Sequence, residues 1–106
     1  MPKYLLQVSY TAEGAKGVLK DGGSKRRAAA KAVVESVGGK LESMYFAFGK
    51  TDVFAVAEMP DAAAMASAAL TIGASGSIRC ATTALLTAEE IDQAVKKSIS
   101  YTPPGR

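Results

Sequence analysis

The sequence predicts one α+β domain in which helices cover one face of a four-stranded antiparallel sheet. Four segments alternate between apolar and polar residues as strands do, and alanine-rich segments with three- and four-residue apolar spacing lie between them. Glycine and proline separate these segments, as expected at turns. The 106 residues are enough for one core, whereas two separate cores would each be too small to be stable.

The first part of the chain predicts a strand and a helix. Residues 3–10 alternate, and one face of this strand suits burial under helices. That face carries Tyr4, Leu6, Val8 and Tyr10. Residues 11–24 contain four glycines and predict a helical turn and then a loop, with Ser24 as the N-cap of the next helix. That helix has a buried apolar stripe and ends at Gly38-Gly39. The stripe consists of Ala29, Ala30, Val33, Val34 and Val37.

The middle of the chain predicts a β-hairpin followed by a second helix. Residues 40–48 and 52–59 alternate as its two strands, and Gly49-Lys50-Thr51 forms the short connection. Pro60 stops the second hairpin strand. Asp61 is then placed to cap an alanine-rich helix that runs to about Ile72.

The remaining residues predict a fourth strand and an added helix. Residues 77–86 suit the strand, and Thr87 with Glu90 forms a capping box that starts the helix. The order β-α-β-β-α-β plus a C-terminal helix is that of a ferredoxin-like fold. We expect a single domain over residues 1–98 and an extended C-terminal tail over residues 99–106.

The absence of histidine is the strongest chemical statement in the composition. It excludes Ser-His-Asp and Cys-His catalysis, histidine-ligated haem and most zinc sites. We therefore expect no cofactor and no metal site. The single cysteine, Cys80, forms no intrachain disulfide, and no apolar run approaches about 18 residues. These two features predict a cytoplasmic protein without a membrane span.

The net charge of +3 is mild, and the only basic cluster is Lys25-Arg26-Arg27. We interpret this cluster as a solvated helix start, with an anion or nucleic-acid contact as the alternative. A nucleic-acid partner is not expected, because Phe46 and Phe48 lack the glycine-aromatic signature of RNA-recognition sheets.

Both faces of the predicted sheet are apolar. In the second strand Leu41, Ser43 and Tyr45 alternate with Glu42, Met44 and Phe46. Much of the remaining apolar content is alanine, which buries little area per residue, so one chain lacks the material to cover both faces. We expect a homodimer or higher homo-oligomer that packs sheet against sheet. The alternative is an open cleft for a small apolar ligand.

Three segments in order resemble the GYD-domain family: KYLLQVSYTAEGAKGV, FGKTDVFAVAEMPD and IGASGSIRCATTALLTAEE. Together they extend from Tyr4 to Glu90. The eponymous motif of the family contains a tyrosine before its aspartate, whereas this chain has Thr51 before Asp52. The resemblance implies a dimeric α/β barrel, in which two ferredoxin-like sheets pair and enclose a cleft. It adds little on chemistry, because the activity of the family is largely undefined.

Two carboxylates are candidate cleft residues. Asp52 either acts as a base at the cleft rim or bonds to backbone N–H groups of the hairpin. Glu58 either acts as an acid or base in a dry cavity or is an exposed strand-end residue paired with Arg79.

Two polar side chains complete the candidate set of Gln7, Tyr45, Asp52, Glu58 and Arg79. Gln7 and Tyr45 lie on an otherwise apolar surface, where a tyrosine hydroxyl can orient a ligand. Dimer packing explains both residues equally well, and the catalytic residues stay unknown.

The leading functional hypothesis is a homodimeric binding or accessory protein that holds a small, mostly apolar ligand. The alternative is a cofactor-independent oxygenase or isomerase that uses Tyr45, Asp52 or Glu58 for proton transfer. RNA binding ranks last.

Overall fold

The computed structural model describes residues 1–105 and contains the predicted four-stranded sheet. Its strands are β1 (Lys3–Tyr10), β2 (Lys40–Phe46), β3 (Val53–Glu58) and β4 (Ile78–Leu85). Their order across the sheet is β2-β3-β1-β4, and every neighbouring pair is antiparallel. This is the predicted ferredoxin-like topology, and β1 and β3 lie at its centre.

Four helices accompany the sheet. They are α1 (Ala12–Asp21), α2 (Gly23–Ser36), α3 (Ala62–Ala74) and α4 (Ala88–Val95). Helix α2 packs mainly over β2, and α3 packs mainly over β4. The predicted β-α-β-β-α-β order with an added C-terminal helix is therefore confirmed, although the first crossover contains two helices.

The prediction of a turn and loop over residues 11–24 is wrong. The Thr11 side chain caps α1 by accepting from the backbone N–H of Gly14, and a ten-residue helix follows. Ser24 is not an N-cap either, because α2 already begins at Gly23. Gly22 joins the two helices with a φ of +80°, a conformation that glycine adopts without a steric penalty.

The predicted starts of α3 and α4 and the predicted end of α2 are confirmed, whereas α3 continues past the predicted end near Ile72 to Ala74. The Oδ1 atom of Asp61 accepts from the N–H of Ala64 at 2.8 Å. Thr87 and Glu90 form both hydrogen bonds of the capping box, each at 3.1 Å. Gly38 has a φ of +83° where α2 ends, so glycine supplies the left-handed conformation there.

A β-bulge changes which residues of β2 share a face. Leu41 lies opposite Ala57 and Ser43 lies opposite Val56, so Glu42 is the extra residue. Leu41 therefore joins Met44 against the core and does not share a face with Ser43. The alternation predicted for this strand is correct only after the bulge.

The core lies between the sheet and α2 and α3. Its buried residues are Tyr4, Leu6, Val34, Val53, Ala55, Ala57, Met59, Met65 and Ala68. The set contains no Phe and no Ile, and three of its nine residues are alanine. Each alanine contributes one methyl group, so this core is thin for its area.

The C-terminal part extends away from this core. No residue of α4 is buried, and the described residues beyond it form no further helix or strand. The last residue of the predicted tail, Arg106, lies outside the described residues. The radius of gyration is 16.9 Å, whereas about 13 Å is typical of a compact domain of this length.

Two glycines of α1 give a matched test of how this helix docks. A Cβ on Gly14 would overlap the backbone carbonyl of Ser77, whereas a Cβ on Gly17 would meet nothing within 4 Å. Gly14→Ala should therefore lower the free energy of unfolding by about 1–3 kcal/mol through overpacking. Gly17→Ala should raise it by about 0.5–1 kcal/mol, because alanine loses less backbone entropy. Urea denaturation measures both, and equal effects of the two substitutions would contradict the docking of α1.

Candidate ligand cavity

The uncovered face of the sheet brings two of the predicted site residues together. Gln7 and Tyr45 both lie opposite Phe54, so the three side chains form a row across β1, β3 and β2. Tyr45 is 72% exposed and Phe54 is 41% exposed. The row is an open, mainly aromatic surface of the single chain and not an enclosed site.

The predicted pairing of Glu58 with Arg79 is wrong. Glu58 lies opposite Lys3 and Arg79 lies opposite Ser9. Those two positions are six residues apart on β1, which is about 20 Å. The register of the sheet therefore places Glu58 and Arg79 at its two ends.

Glu58 instead belongs to a cluster of charges around Lys3. The Nζ atom of Lys3 lies 3.1 Å from Glu42 and 3.7 Å from Glu58. The hydrogen bond with Glu42 is the main cause of a raised pKa at Lys3, and the charge of Glu58 adds to it. An exposed cluster of this kind contributes little to stability.

The carboxylate of Asp52 holds two strands in place. Its Oδ2 atom accepts from the backbone N–H of Tyr10 at 2.8 Å, and its own N–H donates to the carbonyl of Val8 at 2.8 Å. The structural alternative for Asp52 predicted such a backbone partner. The donor, however, belongs to the end of β1 and not to the hairpin.

An apolar cavity of about 130 Å³ lies beneath the helices. It opens between α2, α3 and the central strands, because on the same face of the sheet α2 lies over the edge strand β2 and α3 lies over the edge strand β4. Small side chains leave the space unfilled, among them Ala30 of α2, Ala55 of β3 and Ala68 of α3. Met59 and Met65 are buried in its wall. The cavity is thus a direct consequence of the alanine-rich core.

Three residues with polar groups line this otherwise aliphatic cavity: Tyr10, Arg26 and Cys80. Burial raises the pKa of the Tyr10 hydroxyl, and the nearby positive charge of Arg26 opposes the rise. Burial also raises the pKa of the Cys80 thiol, and a contact with Thr82 opposes that rise. Cys80 is therefore mainly a neutral thiol at neutral pH.

Arg26 is the functional candidate that the sequence interpretation missed. Its Nε atom is buried, and no atom of residues 1–105 accepts its hydrogen bond. A buried donor without a protein acceptor costs about 1–3 kcal/mol, and more when the group is charged. The helical spacing of the sequence could have identified Arg26, because this residue precedes Ala29 and Ala30 by three and four residues. It thus lies on the side of α2 that faces the cavity, although Val34 is the only fully buried residue of this helix.

The described residues offer few other sites. No three His, Cys, Asp or Glu side chains among residues 1–105 lie close enough together to hold a metal ion. Over the same residues, no helix is long and apolar enough to cross a membrane. The apolar cavity is therefore the candidate site in this part of the chain.

Together, the sheet order and the helix-covered core define an α+β protein of the ferredoxin-like class. The sequence profile of the GYD domain matches residues 4–95, from the second residue of β1 to the end of α4. The chain belongs to the GYD domain family, which confirms the resemblance. No curated protein and no solved structure shows a significant match to it.

Replacing Asp52 distinguishes its structural role from a catalytic one. Asp52→Ala leaves the N–H of Tyr10 without its acceptor, so the free energy of unfolding should fall by about 1–2 kcal/mol. Asp52→Asn keeps an acceptor oxygen and should lose less than half of that amount. Urea denaturation measures both variants. Unchanged stability in Asp52→Ala would contradict the structural role.

Proposed function

We propose that this GYD-domain protein is a homodimer that binds a small, mostly apolar ligand. The cavity beneath the helices carries the proposal, because it is apolar, partly enclosed and built into the core. The cleft between two paired sheets that the sequence predicts stays a prediction. The ligand-binding proposal therefore rests on the cavity that a single chain already forms.

The volume of the cavity limits the size of the apolar group. An engineered apolar cavity of roughly 150 Å³ stays dry and binds benzene. The cavity here, at about 130 Å³, is close to that size. One six-membered ring or a short branched chain is thus the largest group that fits without a shift of the helices.

The exposed surface supports a second copy of the chain as the partner. The accessible surface is 7522 Å², whereas about 5,600 Å² is typical of a compact monomer of this mass. The excess of about 1,900 Å² exceeds the roughly 800 Å² that each partner buries in a standard interface. A self-complementary dimer can remove this excess.

Two apolar surfaces contribute to the excess. The first is the uncovered sheet face around Tyr45 and Phe54. The second is the C-terminal arm, which we define as residues 86–101. Its exposed apolar residues are Leu86, Ile91, Val95, Ile99 and Tyr101. Because the arm projects from its own body, a second copy is the natural surface for it to cover.

The alternatives have less support. The groups suggested for proton transfer do not form one site. Tyr45 lies on the open sheet face, Asp52 accepts a hydrogen bond from a backbone N–H, and Glu58 belongs to the charge cluster around Lys3. The aromatic rings suggested for RNA stacking are not on the open face either. Phe46 packs near Gly23 of α2, and Phe48 lies in the loop between β2 and β3. We therefore propose ligand binding, and a reducing cytoplasm suits the free thiol of Cys80.

Toluene tests the cavity with a matched pair of variants on α3. Ala68 is buried and lines the cavity, whereas Ala66 is exposed and does not. Toluene at ten times its Kd should stabilise the protein by about 1.4 kcal/mol, which thermal unfolding detects as a rise in Tm. Ala68→Leu fills the cavity and should abolish this rise, and Ala66→Leu should keep it. The absence of a toluene effect on the natural sequence would contradict the proposal.

Sedimentation equilibrium tests the dimer. The natural chain should sediment at twice its monomer mass of 10.9 kDa. Phe54→Glu places an unpaired charge on the open sheet face and should shift the protein to monomer, because a buried unpaired charge is costly. Leu19→Glu makes the same charge change at an exposed position of α1 and should stay dimeric. A natural chain that sediments as a monomer at micromolar concentration would rule out the homodimer.

A further inference from the structure

We propose that the cavity takes a small carboxylate whose apolar part fills the space beneath the helices and whose anionic group binds Arg26. This inference rests on the proposed ligand-binding function and names the chemical class of the ligand. Single-ring aromatic acids and short branched aliphatic acids are the members of that class that fit a volume of about 130 Å³.

The charges around the cavity favour an anion. Within residues 1–105, Arg26 is the only charged residue that lines it, and no carboxylate does. Among residues 1–105 Arg26 forms no ion pair, whereas its neighbour Lys25 pairs with Asp21 at 3.7 Å. Asp52 lies close enough to raise the pKa of the Tyr10 hydroxyl, but its Oδ2 atom already accepts from the N–H of Tyr10. The positive charge of Arg26 is thus available to a ligand.

The geometry of the guanidinium suits a carboxylate. An arginine presents its N–H groups as a planar fork that matches two carboxylate oxygens. The buried Nε–H of Arg26 has no protein acceptor, so a ligand oxygen that accepts from it satisfies this donor. The hydroxyl of Tyr10 lies near the same guanidinium and supplies a further donor.

The placement of Arg26 on α2 gives such a ligand one orientation. Arg26 lies one helical turn before Ala29 and Ala30, and all three line the cavity. Ala29 is exposed, so the cavity opens to solvent beside it. An amphiphilic acid therefore has its charge near the start of α2 and its apolar group further along the helix, over the central strands.

A purely structural explanation of Arg26 makes a different prediction. Arginine often buries its aliphatic stem against a core and keeps its head group in water. In that case the head group gives no preference for an anionic ligand, and removing its charge changes only stability. Comparing an anionic ligand with a neutral ligand of the same shape separates the two explanations.

The experiment is isothermal titration of the full chain with benzoate and with benzyl alcohol, which share a ring and differ in charge. Benzoate should bind at least about tenfold more tightly, because charge-assisted hydrogen bonds are about twice as strong as neutral ones. Arg26→Gln should abolish this preference and keep toluene binding. Arg27→Gln removes the same charge from the next residue, which lines a separate shallow groove, and should keep the preference.

Alkylation of Cys80 locates the bound ligand. Cys80 is the only cysteine and lines the cavity, so benzoate should slow its reaction with iodoacetamide in the natural chain and not in Arg26→Gln. If Arg26→Gln does not fold, Arg26→Lys replaces it. Lysine keeps the charge without the planar fork, so benzoate should bind less tightly to that variant than to the natural chain.

Three results overturn the inference. The first is equal affinity for benzoate and benzyl alcohol, and the second is an equal loss of the preference in Arg26→Gln and Arg27→Gln. The third is a benzoate-independent rate of Cys80 alkylation in the natural chain. Toluene binding to the natural chain shows whether the proposed ligand-binding function of the cavity fails as well. If toluene binds, the proposed cavity function stands and only the carboxylate class is wrong, and if toluene does not bind, both fail together.

Discussion

The small volume of alanine side chains between the helices and the sheet is the constraint on which the rest of the structure depends. Ala55, Ala57 and Ala68 are buried, and each contributes one methyl group where a larger aliphatic side chain would bury more apolar area. One consequence is the unfilled space beneath α2 and α3. Another is that the chain buries too little apolar area within itself, which leaves the open sheet face and the C-terminal arm exposed. Ligand binding and dimerisation are two ways to bury more apolar area than the single chain buries within itself.

Much of the fold is predictable from the sequence because its information is local. Strand alternation identifies all four strands, and side-chain caps such as Asp61 and Thr87 mark where helices begin. Helix α1 is missed because its glycines resemble those of a loop. In the structure Gly14 instead allows a close approach to Ser77, and this long-range contact is absent from any local pattern.

The candidate site is less predictable because it depends on register and depth. Glu58 and Arg79 are plausible partners by charge, but the strand register places them at opposite ends of β1. Arg26 resembles a solvated member of a basic cluster, yet the helix phase turns it towards the cavity while Arg27 stays exposed. The sequence shows which face of α2 carries Arg26, but the gap between α2 and α3 depends on how both helices pack on the sheet. Only the assembled core shows that an arginine borders an apolar space.

A crystal structure determined under xenon pressure tests the central claim most directly, because xenon enters dry apolar cavities and marks them by its strong scattering. We predict one xenon site between α2, α3 and the central strands, in contact with Ala68 and near the Arg26 stem. The open sheet face should be covered by a second copy of the chain. A core that has collapsed around these residues, with no xenon between the helices and the sheet, would contradict this prediction.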